Sequence, residues 1–593
     1  MTYSTEWNLA RYFYTGLDDP KLATDIANIL PLTENFSKKY QDSFGSFTTP
    51  EQILEFYRDY TTLSHDMATA SYYLFYRSSL DTQDLEVTKK MGEIDYIYTE
   101  ASNQLLFVAQ GWKQIGYDRI ISWANDPKLA RFKNDLLSTA DSIKYILGEA
   151  EEKVLNFKSR PLGLAGSLHD ELTGSYEFTM TIDGVEKKLT EEEVRSYRQH
   201  TDRSIRMEAY KSLRRVYNTK QAQISLGNIY TSIVKDWSAE IKMRGYPTNV
   251  MAQRNISEEM DDEVVDMLLS EVEKSYPLYQ RFLRAKAKML GLESDFSVHD
   301  VSAPLGKVDK DFTFEEAYDL HLSVMKDFDK DFYDYSIRMI EEERIDVFPR
   351  AGKRGGAFAS YRKGDESFVL LNFTGKLRDV STISHELGHA IHGHLSQGQE
   401  APVYDSPLSM AETASIFSEM LLGEKVKSII SPEEYKEYLN ERLGDIFATI
   451  FRQVQYVIFE REVHNQIHTG QELTYKELNG FWRNSQESLY SGSVAYDVGA
   501  EDESGWSMIP HIFHTPFYCY AYAFGNLLTF ALYNKVQSGE LSVEGYKDIL
   551  RSGGSERPRD LLRKYNIDIA SSDFYQSGLR EVEKMVEEFE KLI

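Results

Sequence analysis

Residues Thr382–His392 read TISHELGHAIH and contain His385-Glu386-Leu387-Gly388-His389. On a helix, residues four apart stand about one turn above each other, so the two imidazoles share a face and can bind one ion. Glu386 follows the first histidine and precedes the second by three. Its carboxylate flanks the ion and is placed to hold a water. With 13 histidines in 593 residues the pentapeptide can also arise by chance, so its surroundings carry weight. Ser367–Phe373 (SFVLLNF) reads as a buried strand and Thr374-Gly375-Lys376 as a turn. Val380, Ile383, Leu387 and Ile391 then recur at helical spacing. A strand feeding a helix frames the motif.

Zinc normally takes a third protein ligand and leaves a fourth position for water. His392 lies seven residues beyond His385, about 10 Å of helical rise, too far for one ion to reach all three histidines. The alternative HExxHxxGxxH signature fails, because His392 and Leu395 occupy its glycine and third-histidine places. Glu412, in Ser409-Met410-Ala411-Glu412-Thr413-Ala414-Ser415, reads as lying on the next helix and is the preferred third ligand; the competing reading is a solvated helix acid. Glu419, seven residues on, shares its face and is placed to bond a ligand histidine from behind, or is simply exposed.

HELGH followed by MAETASIFSE resembles the oligoendopeptidase F branch of the thimet-oligopeptidase-like zinc metallopeptidases. The resemblance continues in Lys353-Arg354-Gly355-Gly356-Ala357-Phe358 upstream, and in Ile509-Pro510-His511-Ile512-Phe513 and Pro516-Phe517-Tyr518-Cys519-Tyr520 downstream. It covers residues 200 to 580 well and the opening Trp7-Asn8-Leu9 more loosely. It implies a mainly α, elongated, two-lobed fold with a deep cleft and a small β-sheet beside the HExxH helix. It also implies one Zn2+ per chain and cleavage inside short oligopeptides by metal-activated water with a Glu general base. In the family a histidine and tyrosines of the downstream segment face the metal. His511 and Tyr518 are the matching choices here, with His514, Tyr520 and Tyr522 beside the substrate; the particular tyrosine stays open. Gly355, Gly356 and Ala357 would let an extended peptide pair with an edge strand, although a bulge or hairpin turn gives the same glycines without a substrate role. Two other functions remain on the same scaffold: an exopeptidase (carboxydipeptidase or aminopeptidase) and a non-catalytic peptide-binding protein.

Composition narrows the remaining classes. Lys and Arg total 67 against 94 Asp and Glu, a net charge of -27 that opposes nucleic acid and anionic membranes. No apolar run approaches bilayer length. A lone cysteine, Cys519, excludes an internal disulfide framework and reads as a packed small side chain, and MTYSTEWNLARYF lacks the regions of a signal peptide. These features point to the cytoplasm.

Along the chain, helices are expected from Pro20 toward Tyr40, after the Thr49-Pro50-Glu51-Gln52 cap, over Glu86–Lys113 and over Asp126–Lys158. Arg160–Ser175 (RPLGLAGSLHDELTGS) reads as a break. A hairpin follows, turning at Asp183-Gly184 within 176–189. The expected boundary therefore separates an N-terminal helical region, 1–190, from a catalytic domain, 191–593. A helix starting at Ser257 is expected to carry Val264, Leu268 and Val272. His299 and Asp300 read as solvated loop residues, with a place in the cleft as the competing reading, and helices are expected over Phe314–Glu343. His464 and His468, four apart in HNQIH, lack the glutamate of the first motif and read as packing or surface side chains. Asp497–Tyr522 is the remaining polar-aromatic region.

Overall fold

The computed structural model describes residues 3–306, 310–495 and 503–593. The first part of the Asp497–Tyr522 stretch, through residue 502, lies outside them. The chain is mainly helical, as expected, and among the described residues its strands form two small sheets.

Local signals set the first elements. Asp19 accepts the backbone N–H of Lys21 and Pro20 opens a helix that ends at Tyr40. Thr49 and Gln52 cap the helix Pro50–Leu80. Strands β1 (Phe178–Ile182) and β2 (Val185–Leu189) pair antiparallel around Asp183 and Gly184, whose φ angles of 53° and 76° are those of a tight two-residue hairpin turn.

Longer readings fare less well. Glu86–Lys113 divides into the helices Leu85–Gln104 and Phe107–Ile115, and Asp126–Lys158 into a 3-10 turn, the helix Lys133–Ile143 and the start of another helix. The expected break at Arg160–Ser175 is absent. A helix runs through it, from Glu149 to Gly174, packed against Lys220–Arg244 and Pro510–His514. Tertiary packing outweighs the local cost of its proline and glycines. Ser257 closes a short helix instead of opening one; the helix with Val264, Leu268 and Val272 starts at Asp262 after Asp261. Phe314–Glu343 is helical as expected, in two helices that meet at Asp329. Asp300 is not solvated. It is fully buried, with Oδ2 at 2.8 Å from Arg203 Nη2 and Oδ1 at 2.9 Å from Arg206 Nη2.

Beside the motif, β3 (Ile345–Asp346), β4 (Phe358–Ser360) and β5 (Phe368–Leu370) form a sheet ordered β3-β5-β4, with β3 parallel and β4 antiparallel to buried β5. The N-terminal segment is tied to this sheet. The Trp7 indole N–H lies 2.8 Å from the Val369 carbonyl and 3.0 Å from that of Arg344, and the ring packs edge-on to Phe368. After β5 the chain turns into the helix Leu377–Leu395. Asp379 Oδ2 accepts the backbone N–H groups of Thr374 and Lys376 and fixes that helix's start. Val380, Ile383, Leu387 and Ile391 are buried in the largest core cluster, which leaves the histidine face free.

Candidate metal centre and active site

His385, Glu386 and His389 share the Leu377–Leu395 helix, which packs along the helix Thr413–Val426. Glycine sets the spacing. A Cβ on Gly388 would lie 2.6 Å from the Ala414 carbonyl oxygen and from Ser415 Cα, so only a bare backbone lets the two helices approach this closely. Glu412 sits at the junction of a short turn, Leu408–Ala411, and the Thr413–Val426 helix, rather than within a helix. Ser415 Oγ donates to its Oε2 at 2.8 Å.

Three atoms converge. His389 Nε2 lies 3.2 Å from His385 Nε2, and Glu412 Oε2 lies 3.3 Å from His389 Nε2 and 3.4 Å from His385 Nε2. Ligands about 2.0–2.1 Å from a tetrahedral ion are separated by about 3.3 Å, so the triangle has the edge lengths of three zinc ligands. The donor set, two imidazoles and one carboxylate, also suits zinc. Glu419 accepts a hydrogen bond from His385 Nδ1, which leaves Nε2 facing the other two atoms.

The electrostatics follow from this crowding. Burial works against a charged His385, but Glu419, helped by Glu412 and Glu386, wins and carries its pKa to about 9. Burial opposes ionisation of Glu412, yet the bond and charge of His389, with His385 and Ser415, bring it down to about 2. Burial raises the pKa of Glu386, against the pull of the two histidines. Among the described residues no donor bonds its carboxylate, which faces a cavity of about 450 Å³ lined also by His385, Thr382, Arg378, Asp445, Gly356 and Ala357.

On the sheet side, Asn372 Nδ2 donates to the Arg354 and Gly356 carbonyls at 2.9 and 2.7 Å, and holds the Gly355-Gly356-Ala357 approach to β4. Gly356 has φ 77°, so its conformation requires glycine, and both glycines face open space. His511, His514, Tyr518 and Tyr522 line one recess. There Tyr518 and Tyr522 meet edge to face with centroids 5.1 Å apart, and His511 stacks parallel to Tyr518 at 6.2 Å. Burial, then the charges of His514 and Arg452, lower the His511 pKa. Tyr522 has a raised pKa from burial, its bond to Tyr518 and the charge of Glu412 among others. His514 turns Nε2 to Asp170 at 2.9 Å. Tyr520 departs from the expected set: it is fully buried in the core with its hydroxyl enclosed, and cannot touch a substrate from that position.

The other candidates stand apart. His392 and His464 are buried, with burial lowering their pKa values to about 4 and about 3. His468 is bonded to Ser238. Cys519 is buried and its thiol pKa is raised, chiefly by burial. Sequence reasoning passed over Ser415 and Gly388. A hydroxyl three residues after Glu412 and a glycine within the motif were the available signals.

Residues 196–581 match the model of Peptidase family M3. Over 598 residues the chain is 26% identical to the group B oligopeptidase PepB of Streptococcus agalactiae, covering 99% of this chain and 97% of that protein. Over 607 residues it is 24% identical to an oligoendopeptidase F homolog of Lactococcus lactis, covering 100% of this chain and 98% of that protein. A crystal structure from Chlamydophila abortus superposes with a TM-score of 0.84 at 26% identity, over 95% of this chain and 97% of that one.

Proposed function

The chain belongs to peptidase family M3, and from that premise we propose that it is a zinc-dependent endopeptidase cutting internal bonds of short oligopeptides, with Glu386 as general base. The observation that carries this reading is the triangle of His385 Nε2, His389 Nε2 and Glu412 Oε2, with edges of 3.2 to 3.4 Å. Zinc bound there would polarise the scissile carbonyl and lower the pKa of a water.

Glu386 takes the proton of the attacking water and returns it to the leaving amine. Its raised pKa suits both steps, since a carboxyl closer to neutrality holds the proton long enough to deliver it. His511, its pKa lowered chiefly by burial, and Tyr518, which line one recess, would offer N–H and O–H donors to the oxyanion that forms on the carbonyl. Gly355, Gly356, Ala357 and Tyr522 receive the peptide on either side. Glu419 keeps His385 in the tautomer that presents Nε2. On this reading the chemistry belongs to residues 191–593, with 1–190 as an accessory helical region. The substrates are peptides rather than nucleic acid or membrane, and the enzyme works in the cytoplasm, consistent with one free, buried cysteine. Among the described residues no helix is long and apolar enough to cross a membrane.

Glu386→Gln tests the assignment. It is expected to retain zinc while peptide turnover falls by about 10²–10⁴; full turnover in that variant removes Glu386 from the role. Cleavage of a peptide acetylated at its N-terminus and amidated at its C-terminus tests the endopeptidase assignment, because an exopeptidase needs a free end. Failure to cut such a peptide while cutting its unblocked form refutes it.

A further inference from the structure

A second group of ligand atoms converges where the Glu149–Gly174 helix meets Pro510–His514. Asp170 Oδ1 lies 3.2 Å from His169 Nδ1 and 2.9 Å from His514 Nε2. Donor atoms of all three side chains lie within 4.8 Å of one another. His169 is buried with its ring stacked on Phe513 at 3.9 Å, whereas Asp170 and His514 are open to solvent. Gly166 makes room for the second imidazole, since a Cβ there would stand 2.8 Å from His514 Nδ1.

The bonding of His169 decides what can occupy this point. Its Nε2 lies 3.0 Å from the Ser507 carbonyl oxygen, which only accepts, so Nε2 carries a hydrogen. In the neutral ring Nδ1 is then a lone pair aimed at a carboxylate oxygen, another acceptor, 3.2 Å away. Two acceptors at that distance repel unless a cation lies between them. A proton would serve, giving an imidazolium, and so would a metal ion. Three features favour the metal. An N–H committed to a backbone carbonyl is how ligand histidines are commonly oriented. The two contacts to Asp170 approach the roughly 3.3 Å edge of a tetrahedral site. A second imidazole also faces the same carboxylate oxygen, which one shared proton does not require.

We propose that His169, Asp170 and His514 bind a second divalent transition-metal ion, separate from His385, His389 and Glu412. Two imidazoles and a carboxylate select zinc and its first-row neighbours over magnesium or calcium. The ion would pin the Glu149–Gly174 helix to the segment that carries His511. The site stands without the peptidase reading: it shares no residue with His385, Glu386, His389 and Glu412, and the bond of His514 to Asp170 turns that ring away from the substrate role expected of it.

Zinc is the probe. After dialysis of the full chain against buffered zinc near neutral pH, metal analysis is expected to find two ions per chain in the unaltered protein and one in D170N and in H514Q, both changed at exposed positions. H385A/H389A is expected to keep one, which zinc reveals as a rise in Tm, and adding D170N to that background is expected to abolish both the ion and the rise. One ion in the unaltered protein, or two in D170N and H514Q, overturns the proposal. Loss of zinc from H385A/H389A with no effect of D170N overturns it as well and leaves the first site intact. Retention of two ions in H385A/H389A would count against the catalytic triad instead.

Discussion

Gly388 and Ala414 meet backbone to backbone: a Cβ on the glycine would come within 2.6 Å of the Ala414 carbonyl oxygen. This approach sets the distance from the histidine face to Glu412, two residues before Ala414, and to Glu419. Gly388→Ala must push the helices apart at a buried point, which costs roughly 1–3 kcal/mol. The expected result is a lower Tm together with zinc affinity weakened at least about tenfold, because the carboxylates retreat from the imidazoles. Chelator competition measures the second effect. Wild-type zinc affinity in a destabilised variant would show that the helix spacing does not set the site.

On the proposed reading Glu419 acts through His385. Its carboxylate holds the Nδ1 hydrogen, fixes the ring and makes Nε2 more basic. Glu419→Gln can still accept that hydrogen bond but loses the charge. Zinc affinity is therefore expected to fall by about 10–100-fold while zinc-saturated turnover changes less. Glu419→Ala, which also frees the ring, should weaken zinc further. Equal affinity in the glutamine variant and the parent protein would remove Glu419 from the metal centre.

How much of this was legible follows from the range of the forces involved. The HELGH spacing, the Thr49–Gln52 cap and the Asp183-Gly184 turn depend on residues within a few positions of each other, and the structure has all three as read. Sequence context singled out Glu412, whose carboxylate does lie beside both imidazoles, but not its place at a junction between helical segments, because that depends on how two helices meet over Gly388. Arg160–Ser175 looked like a linker because Pro161, Gly163, Gly166 and Gly174 disfavour helix; packing against two distant helices overrode them, and Gly166 takes up the ring of His514. Asp300 looked solvated because its partners, Arg203 and Arg206, lie nearly a hundred residues upstream. Tyr520 shared an aromatic cluster with Tyr518 and Tyr522, and only its place at the start of the Tyr520–Ser538 helix turns it into the core.

Glu460 gives a pH prediction. It is fully buried, accepts the Phe517 backbone N–H at 3.0 Å beside Tyr518, and burial carries its pKa to about 8, against that bond and the charge of Arg254. In the unfolded chain it would titrate near 4.3. Between these values the folded protein holds a proton that the unfolded chain has released. The contribution is therefore fully present below the unfolded pKa and declines as pH rises toward about 8, by at most about 1.4 kcal/mol per unit. Glu460→Gln keeps the acceptor for Phe517 and removes the titration. Denaturant melts at pH 5.5 and pH 8 are expected to show the variant gaining on the parent protein at the higher pH. A constant difference at both values would show that Glu460 does not titrate in this window.

Asp300 closes a buried ion network. It takes Arg203 through Nε and Nη2 and Arg206 through Nη2, with the Asp300 carboxylate fully buried and Arg206 nearly so. Such a network adds little stability over a well-packed apolar substitute, but removing one partner strands the others, because a buried guanidinium without its carboxylate loses both Coulomb attraction and hydrogen bonds. Asp300→Asn is expected to cost about 3–5 kcal/mol in denaturant melts. Arg203 also bonds Asp295, so Arg203→Ala on the Asp300→Asn background should add less than it does alone, as two members of one network must. The proposed ligands His385, His389 and Glu412 share no residue with this network, so zinc bound per folded chain should be unchanged. Simple additivity of the two substitutions would mean that the residues are neighbours without being coupled.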